Sequence, residues 1–329
     1  MPFTDLPLES LRTYRPDVLE PADFDAFWQQ TLEESRAADR GYSLTPATTP
    51  VTTLVIQDLT FSGFNGEQIR AWVTRPRSEN RLPAVIEYVG YNGGRGLPGE
   101  KLGWAASGYV HVLMDTRGQG SGWGSGGDTP DPHGSGPATA GFMTRGISNE
   151  RDYFYRRVYT DAALLVEQVA SMDFVDPTRI ALAGASQGGG IAIAAAALAP
   201  IAQAVMPEVP FLSHFRRAVE MTGEEPYTEI SRYLSVHRDQ VESVFNTLSY
   251  FDGVNFARRI SMPALFSAAL MDGIVIPSTI FAAYNHLESV DRSIEVYPFN
   301  GHEGGQYHHW MTQTQWLPER LTSPELLPQ

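Results

Sequence analysis

Residues Gly184-Ala185-Ser186-Gln187-Gly188 fit the pattern G-x-S-x-G, in which a sharp strand-to-helix turn lifts a serine hydroxyl above a sheet and small neighbours let the backbone pass. The flanks suit that turn: Ile180 to Ala183 reads as a buried strand, and Gly189-Gly190-Ile191-Ala192 opens an Ala-rich helix. A serine hydroxyl attacks well only when an imidazole takes its proton, and the imidazole needs a carboxylate to fix its tautomer. With this turn, those partners follow in the chain order Ser, acid, His. Of the eight histidines, His302 is the chosen base, because it follows an apolar strand and sits beside the Asn300-Gly301 turn. His111 falls inside a strand and reads as a core residue, His133 lies in a long loop, and the others lie in helical or inserted segments. Asp272 follows the strand at Ala264 to Ala269 and precedes Pro277, so it projects from the same edge; Asp252 and Asp291 are rivals placed away from a strand end. For the oxyanion, the amide after the serine, Gln187, is one donor, and Tyr91 in Gly90-Tyr91-Asn92-Gly93-Gly94 is chosen as the second. Trp123, Phe211, Ile274 and Val275 are expected, with Tyr91, to wall the substrate pocket beside the serine.

The elements that would carry these residues alternate after Pro83 as apolar strands and helices, the mark of βαβ units and a mostly parallel sheet. Strands are expected at Ala84 to Val89, Tyr109 to Asp115, Ile180 to Ala185, Ala204 to Met206, Ala264 to Ala269 and Ser293 to Tyr297. Helices are expected at Lys101 to Ala106, Tyr159 to Ser171, Gln187 to Leu198, Pro277 to Leu287 and Gly305 to Gln315. Before Pro83, Val51 to Phe61 and Glu67 to Thr74 read as strands of a hairpin turning at Asn65-Gly66, so the sheet starts antiparallel. Residues 1–50 read as an N-terminal extension whose helix, Asp23 to Ala38, puts Phe24, Phe27, Trp28 and Leu32 on one face. Residues 211–260 break the alternation and read as an insertion over the sheet, and Gly118 to Gly141 as a long irregular loop. The expected fold is a single α/β domain over 1–329 with helices on both faces of the sheet.

Composition narrows the partners. With 42% hydrophobic and 19% charged residues the chain is ordinary for a globular protein, and its formal net charge of −14 disfavours nucleic acid and anionic membranes. It contains no cysteine, which removes disulfides, thiolate metal sites and a cysteine nucleophile. Met1 to Glu20 has no apolar core of signal-peptide length, so a cytoplasmic location is expected. Two motifs mislead: Gly122-Trp123-Gly124-Ser125-Gly126-Gly127 matches a dinucleotide pattern but runs into Pro130 and Pro132 where a helix should start, and His302-Glu303 has Gln306 where a zincin needs His. No metal and no cofactor are expected.

Three motifs in order, Arg117-Gly118-Gln119, Gly184-Ala185-Ser186-Gln187-Gly188 and His302-Glu303, resemble those of acetyl xylan esterases and cephalosporin-C deacetylases, of the α/β-hydrolase fold. Gly90-Tyr91, Gly141 to Gly146, Tyr155-Arg156-Arg157 and Pro277-Ser278-Thr279 support the likeness, while Ile276 stands where the family often has a further proline. The resemblance implies a serine esterase that removes acetyl groups from xylo-oligosaccharides and small molecules such as cephalosporin C. It also implies an intracellular homo-oligomer, a hexamer built as a trimer of dimers. Arg117 and Gln119 would then tie a loop to the catalytic edge, and Glu303 would hold the His302 loop or a subunit contact. The alternatives are a serine peptidase of the prolyl-oligopeptidase type, which would bring a large N-terminal propeller that does not fit before Pro83, and a catalytically silent binding protein of the same fold.

Overall fold

A computed structural model describes residues 5–133 and 136–321; residues 134 and 135 of the long loop and both extreme ends of the expected 1–329 domain lie outside them. Nine strands form one sheet: β1 Tyr42–Pro46, β2 Leu54–Ser62, β3 Gln68–Pro76, β4 Leu82–Tyr88, β5 Val110–Met114, β6 Val175–Ala185, β7 Ala204–Glu208, β8 Ala264–Ala269 and β9 Arg292–Tyr297, in the spatial order β1-β2-β3-β5-β4-β6-β7-β8-β9. The pairings β1/β2, β2/β3 and β3/β5 are antiparallel, and every pairing from β5 through β4 to β9 is parallel. This is an α/β-hydrolase fold with the expected antiparallel start. The β2–β3 connection turns at Asn65 and Gly66, both at positive φ, as an Asn-Gly pair allows.

Among the described residues eleven α-helices accompany the sheet: α1 Leu8–Arg12, α2 Phe24–Ala37, α3 Gly103–Ala106, α4 Phe154–Ala170, α5 Gln187–Leu198, α6 Phe215–Met221, α7 Thr228–Val236, α8 Val241–Ser249, α9 Gly253–Ala257, α10 Pro277–Asn285 and α11 Gln306–Trp316. Alternation along each strand sends side chains to two faces. In β4, Ala84, Ile86 and Tyr88 join the large core formed with α2, α4, α5, α9 and α10, while Val85 faces a smaller core with Trp104 of α3 and Trp310 and Trp316 of α11. The first ten residues of α5 are all buried; its run of Gly and Ala lets the helix lie close to the sheet. No helix among the described residues is long and apolar enough to cross a membrane.

Three expectations needed correction. Residues 1–50 are not wholly an extension, because Tyr42–Pro46 pairs with β2 as an edge strand; its five residues are mostly exposed and pair through main chain, so they carry little hydrophobic signal. Helix α4 starts at Phe154, five residues before the expected start, since Tyr155, Arg156 and Arg157 are buried through hydrogen bonds that hydropathy does not register. The short α1 was absent from the sequence reading; it packs on α10, where Asn285 Nδ2 donates to the Leu11 and Tyr14 carbonyls. The 211–260 segment forms helices α6 to α9, with α9 packed on α5 and α10, and is held partly by Trp28 of α2, whose Nε1 donates to the Tyr250 carbonyl at 3.0 Å.

The chain leaves β4 toward β5 on one side, while β6 pairs with β4 on the other. Such a reversal of strand order opens a crevice at the carboxyl ends of the two strands. The loop after β4 carries Tyr91 and the turn after β6 carries Ser186.

Candidate active site

Ser186 sits at φ 56°, ψ −120°, a strained conformation for a residue with a β-carbon. Its amide donates to the Glu208 carbonyl at 2.9 Å, and its carbonyl accepts from Phe211 at 2.9 Å and Gly190 at 3.1 Å. Two glycines make the turn possible: a β-carbon on Gly184 would collide with the Gly188 backbone, and one on Gly188 would collide with the Tyr88 carbonyl of β4. That is the physical content of the G-x-S-x-G spacing at this site.

The serine Oγ lies 2.9 Å from His302 Nε2, and His302 Nδ1 lies 2.8 Å from Asp272 Oδ2. A carboxylate only accepts, so Nδ1 carries the proton and Nε2 is left to accept from the serine. The Asp272 side chain is fully buried and that of His302 is 27% exposed. Oδ1 of Asp272 accepts from the Ile274 and Val275 amides, each at 2.9 Å. The two loops are stitched together by main chain, Met271 N–H donating to the Asn300 carbonyl at 3.0 Å. The rivals go elsewhere: Asp252 caps α9 and accepts from the His214 and Phe215 amides, and Asp291 pairs with Arg320. His111 is buried with Nε2 2.9 Å from Glu87, and burial lowers His214 and His309 to about 4.

On the other side of the serine, the Gln187 and Tyr91 amides have no acceptor among the described residues. The Gln187 side chain pairs reciprocally with that of Gln119 at 2.9 and 3.1 Å, accepts from Tyr155 Oη at 2.9 Å and donates to the Val89 carbonyl at 3.1 Å. Gln119 Oε1 also accepts from the Asn92 amide at 2.7 Å, so one buried glutamine ties the Tyr91 loop to the residue after the serine. Arg117 is buried and bidentate to Asp161 of α4 at 2.6 and 2.8 Å, with Glu67 as a further partner. It anchors the start of this loop rather than reaching the serine. Glu303 is exposed and accepts from Asn300 Nδ2 at 3.1 Å, within its own loop.

The expected pocket walls separate. Trp123 is 54% exposed; its Nε1 donates to the Tyr91 carbonyl at 2.7 Å and its ring lies over Gly90 and Gly93. Ile274 is half-buried. Phe211 and Val275, expected as walls, are fully buried and offer no surface to a substrate, because each serves the site through its main-chain amide while its side chain fills the core. Three participants went unread in the sequence. Asp161 and Glu229 are carboxylates within helices, and an acid amid apolar neighbours such as Thr160-Asp161-Ala162 was the available signal. Glu208 ends β7; burial pushes its carboxyl up to about 7, opposed by the Gly305 and Gln306 amides. No group of His, Asp or Glu able to hold a metal ion occurs among the described residues.

Comparison with known proteins gives the family. The model of the acetyl xylan esterase family matches residues 1–320. The chain belongs to that family. It is a carboxylic ester hydrolase. An acetyl xylan esterase from Paenibacillus sp. R4 shares 37% identity, covering 96% of this chain and 100% of its own, with a TM-score of 0.90. Acetyl xylan esterase 1 from Thermoanaerobacterium sp. shares 35%, covering 97% and 100%, with a TM-score of 0.89. An acetyl esterase of Xylanibacter ruminicola is 24% identical over 93% of this chain and 69% of its own length. The acylaminoacyl peptidase of Pyrococcus horikoshii, at 14% identity and a TM-score of 0.61 over 85% of this chain and 44% of its own, shows likeness of fold alone.

Proposed function

We propose that this family member removes acetyl groups from acetylated xylo-oligosaccharides and from small acetylated molecules such as cephalosporin C, through an acyl-enzyme on Ser186. The observation that carries the reading is the unbroken Asp272–His302–Ser186 hydrogen-bond chain ending on a strained serine. His302 Nε2 takes the Ser186 proton as Oγ bonds to the acetyl carbonyl carbon. The resulting oxyanion is met by the Gln187 and Tyr91 amides, and Asp272 stabilises the imidazolium. The carbon–oxygen bond to the sugar then breaks, and His302 hands its proton to the departing alcohol. Water repeats the sequence, losing a proton to His302, and acetate leaves with Ser186 restored.

Trp123 supports a carbohydrate alcohol as the leaving group, since an exposed indole beside the oxyanion loop is a flat apolar face of the kind sugars stack on. The family resemblance supports action in the cytoplasm as a hexamer. The deciding experiment gives purified protein acetylated xylo-oligosaccharides, cephalosporin C, longer acyl esters and a peptide amide. Turnover confined to the short acetyl esters is expected. Preferential cleavage of the peptide would assign the peptidase reading instead, and light scattering at a hexamer's mass checks the assembly.

A further inference from the structure

The loop that carries the Tyr91 amide has glycine at positions 90, 93 and 94, so its own backbone preferences do not aim the N–H. Its orientation is imposed from outside. Trp123 holds the Tyr91 carbonyl and Gln119 the next amide, while the Tyr91 side chain points into a third contact that comes from the 211–260 segment. Tyr91 Oη donates to Glu229 Oε1 of α7 at 2.5 Å and accepts from the Phe142 amide at 2.6 Å; Glu229 Oε2 accepts from the Met143 amide at 2.9 Å. The three form a closed ring of hydrogen bonds. Gly141 admits the carboxylate, since a β-carbon there, at φ +117°, would collide with Glu229. The Tyr91 ring is also packed edge-on to Phe142 and to Phe211, whose amide binds the Ser186 carbonyl.

We infer that Glu229 is a positioning residue for ester hydrolysis, acting through the Tyr91 phenol to aim the Tyr91 amide at the developing oxyanion. This rests on the proposed role of Tyr91 as an oxyanion donor. A carboxylate fits the task because both neighbours donate. Tyr91 O–H and Met143 N–H each need an acceptor, and the carboxylate offers two, whereas an amide of the same size turns one acceptor into a donor. Burial pushes the Glu229 carboxyl up, and the Tyr91 phenol and the Met143 and Phe142 amides oppose that rise. The cost of burying the group is thus set against bonds directed at the oxyanion loop. The wider consequence is that helix α7, far along the chain from Tyr91, participates in the site without touching substrate.

The test is Glu229→Gln, Tyr91→Phe and the double variant, each assayed on an acetyl ester with active sites counted by organophosphonate titration. Because the oxyanion exists only as the bond forms, kcat per titrated site should fall about 10- to 100-fold, less than the loss of a whole donor, with KM within about twofold of the parent. The double variant should be no slower than the slower single one, since both substitutions open the same ring of hydrogen bonds. A kcat per site within about twofold of the parent in Glu229→Gln, or losses that multiply in the double variant, would overturn the inference. If Glu229→Gln fails to fold, Tyr91→Phe decides alone, because it opens the same ring without altering α7. Ser186→Ala separates the two levels: parental turnover in that variant defeats the esterase reading itself, whereas an inactive Ser186→Ala beside a normal Glu229→Gln defeats this inference only.

Discussion

Ser186, His302 and Asp272 are joined end to end by two side-chain hydrogen bonds, with the imidazole partly open to solvent. The Tyr91 and Gln187 side of the serine is built otherwise. There Gln119, Gln187 and Tyr155 are joined by buried bonds, those between the two glutamines reciprocal, while Gln119 also holds the Asn92 amide and Tyr91 is held by Glu229. The first arm is a single path in which every member is indispensable; the second has parallel supports, so the removal of one should be partly absorbed by the rest. The contrast follows from the chemistry each arm serves. A proton must move along the first arm, which requires an imidazole free to exchange partners, whereas the second has only to keep two N–H groups fixed.

The comparison breaks most readily at the nucleophile. Ser186→Ala should lose about 10⁴-fold or more in turnover while remaining folded; stopped assays with circular dichroism on the same sample check both halves of that statement. Asp272→Asn keeps the shape but removes the acceptor that fixes the His302 tautomer, so a kcat lower by roughly 10³- to 10⁴-fold is expected. A loss of tenfold or less would show that Asp272 acts chiefly as the acceptor for the Ile274 and Val275 amides and not as the charge behind His302.

On the other arm, Gln119→Ala strips the Asn92 amide and the Gln187 side chain of partners but leaves Trp123 and Glu229 in place. The expected result is a fall in kcat of about tenfold, with about 1–3 kcal/mol of stability lost in denaturant titration. A loss equal to that of Ser186→Ala would abolish the distinction between the arms.

The smallest effect concerns Glu208, whose carboxyl lies under the His302 loop, where a β-carbon on Gly304 would come within 3.1 Å of Oε1. Its folded-state value of about 7 stands above the ordinary 4.5. Between those values the folded protein holds a proton that the unfolded chain releases, so this group's contribution to stability is complete below pH 4.5 and disappears as pH rises through 7. Glu208→Gln should remove that component, flattening the decline in Tm across pH 4.5 to 7 when heated samples are compared with the parent. An unchanged slope would refute it.

Much of the site could be read from spacing because the turn after β6 demands small residues on both sides of the serine, and because strand ends announce themselves by apolar runs that stop. Ser186, Asp272 and His302 each follow such a run. Tyr42–Pro46 and α1 were missed because short, half-exposed elements pair through main chain or through one side chain, and leave no periodic signature. Phe211 and Val275 were misread for a related reason. An aromatic or aliphatic residue near the catalytic edge looks the same in sequence whether it faces a ligand or the core, and here each gives the site only its amide.

The order of chemistry-bearing residues along the chain, the glycines that admit the serine turn, and the absence of cysteine are properties of the sequence alone, since each depends on residue type and local spacing. Which carboxylates serve the oxyanion loop was decided only in three dimensions. Glu229 stands 138 positions from Tyr91 and Gln187 68 positions from Gln119. No local pattern can encode a pairing over such distances; it exists because the tertiary packing that brings α5 and α7 beside these loops buries those polar groups together, and burial leaves each of them in need of a partner.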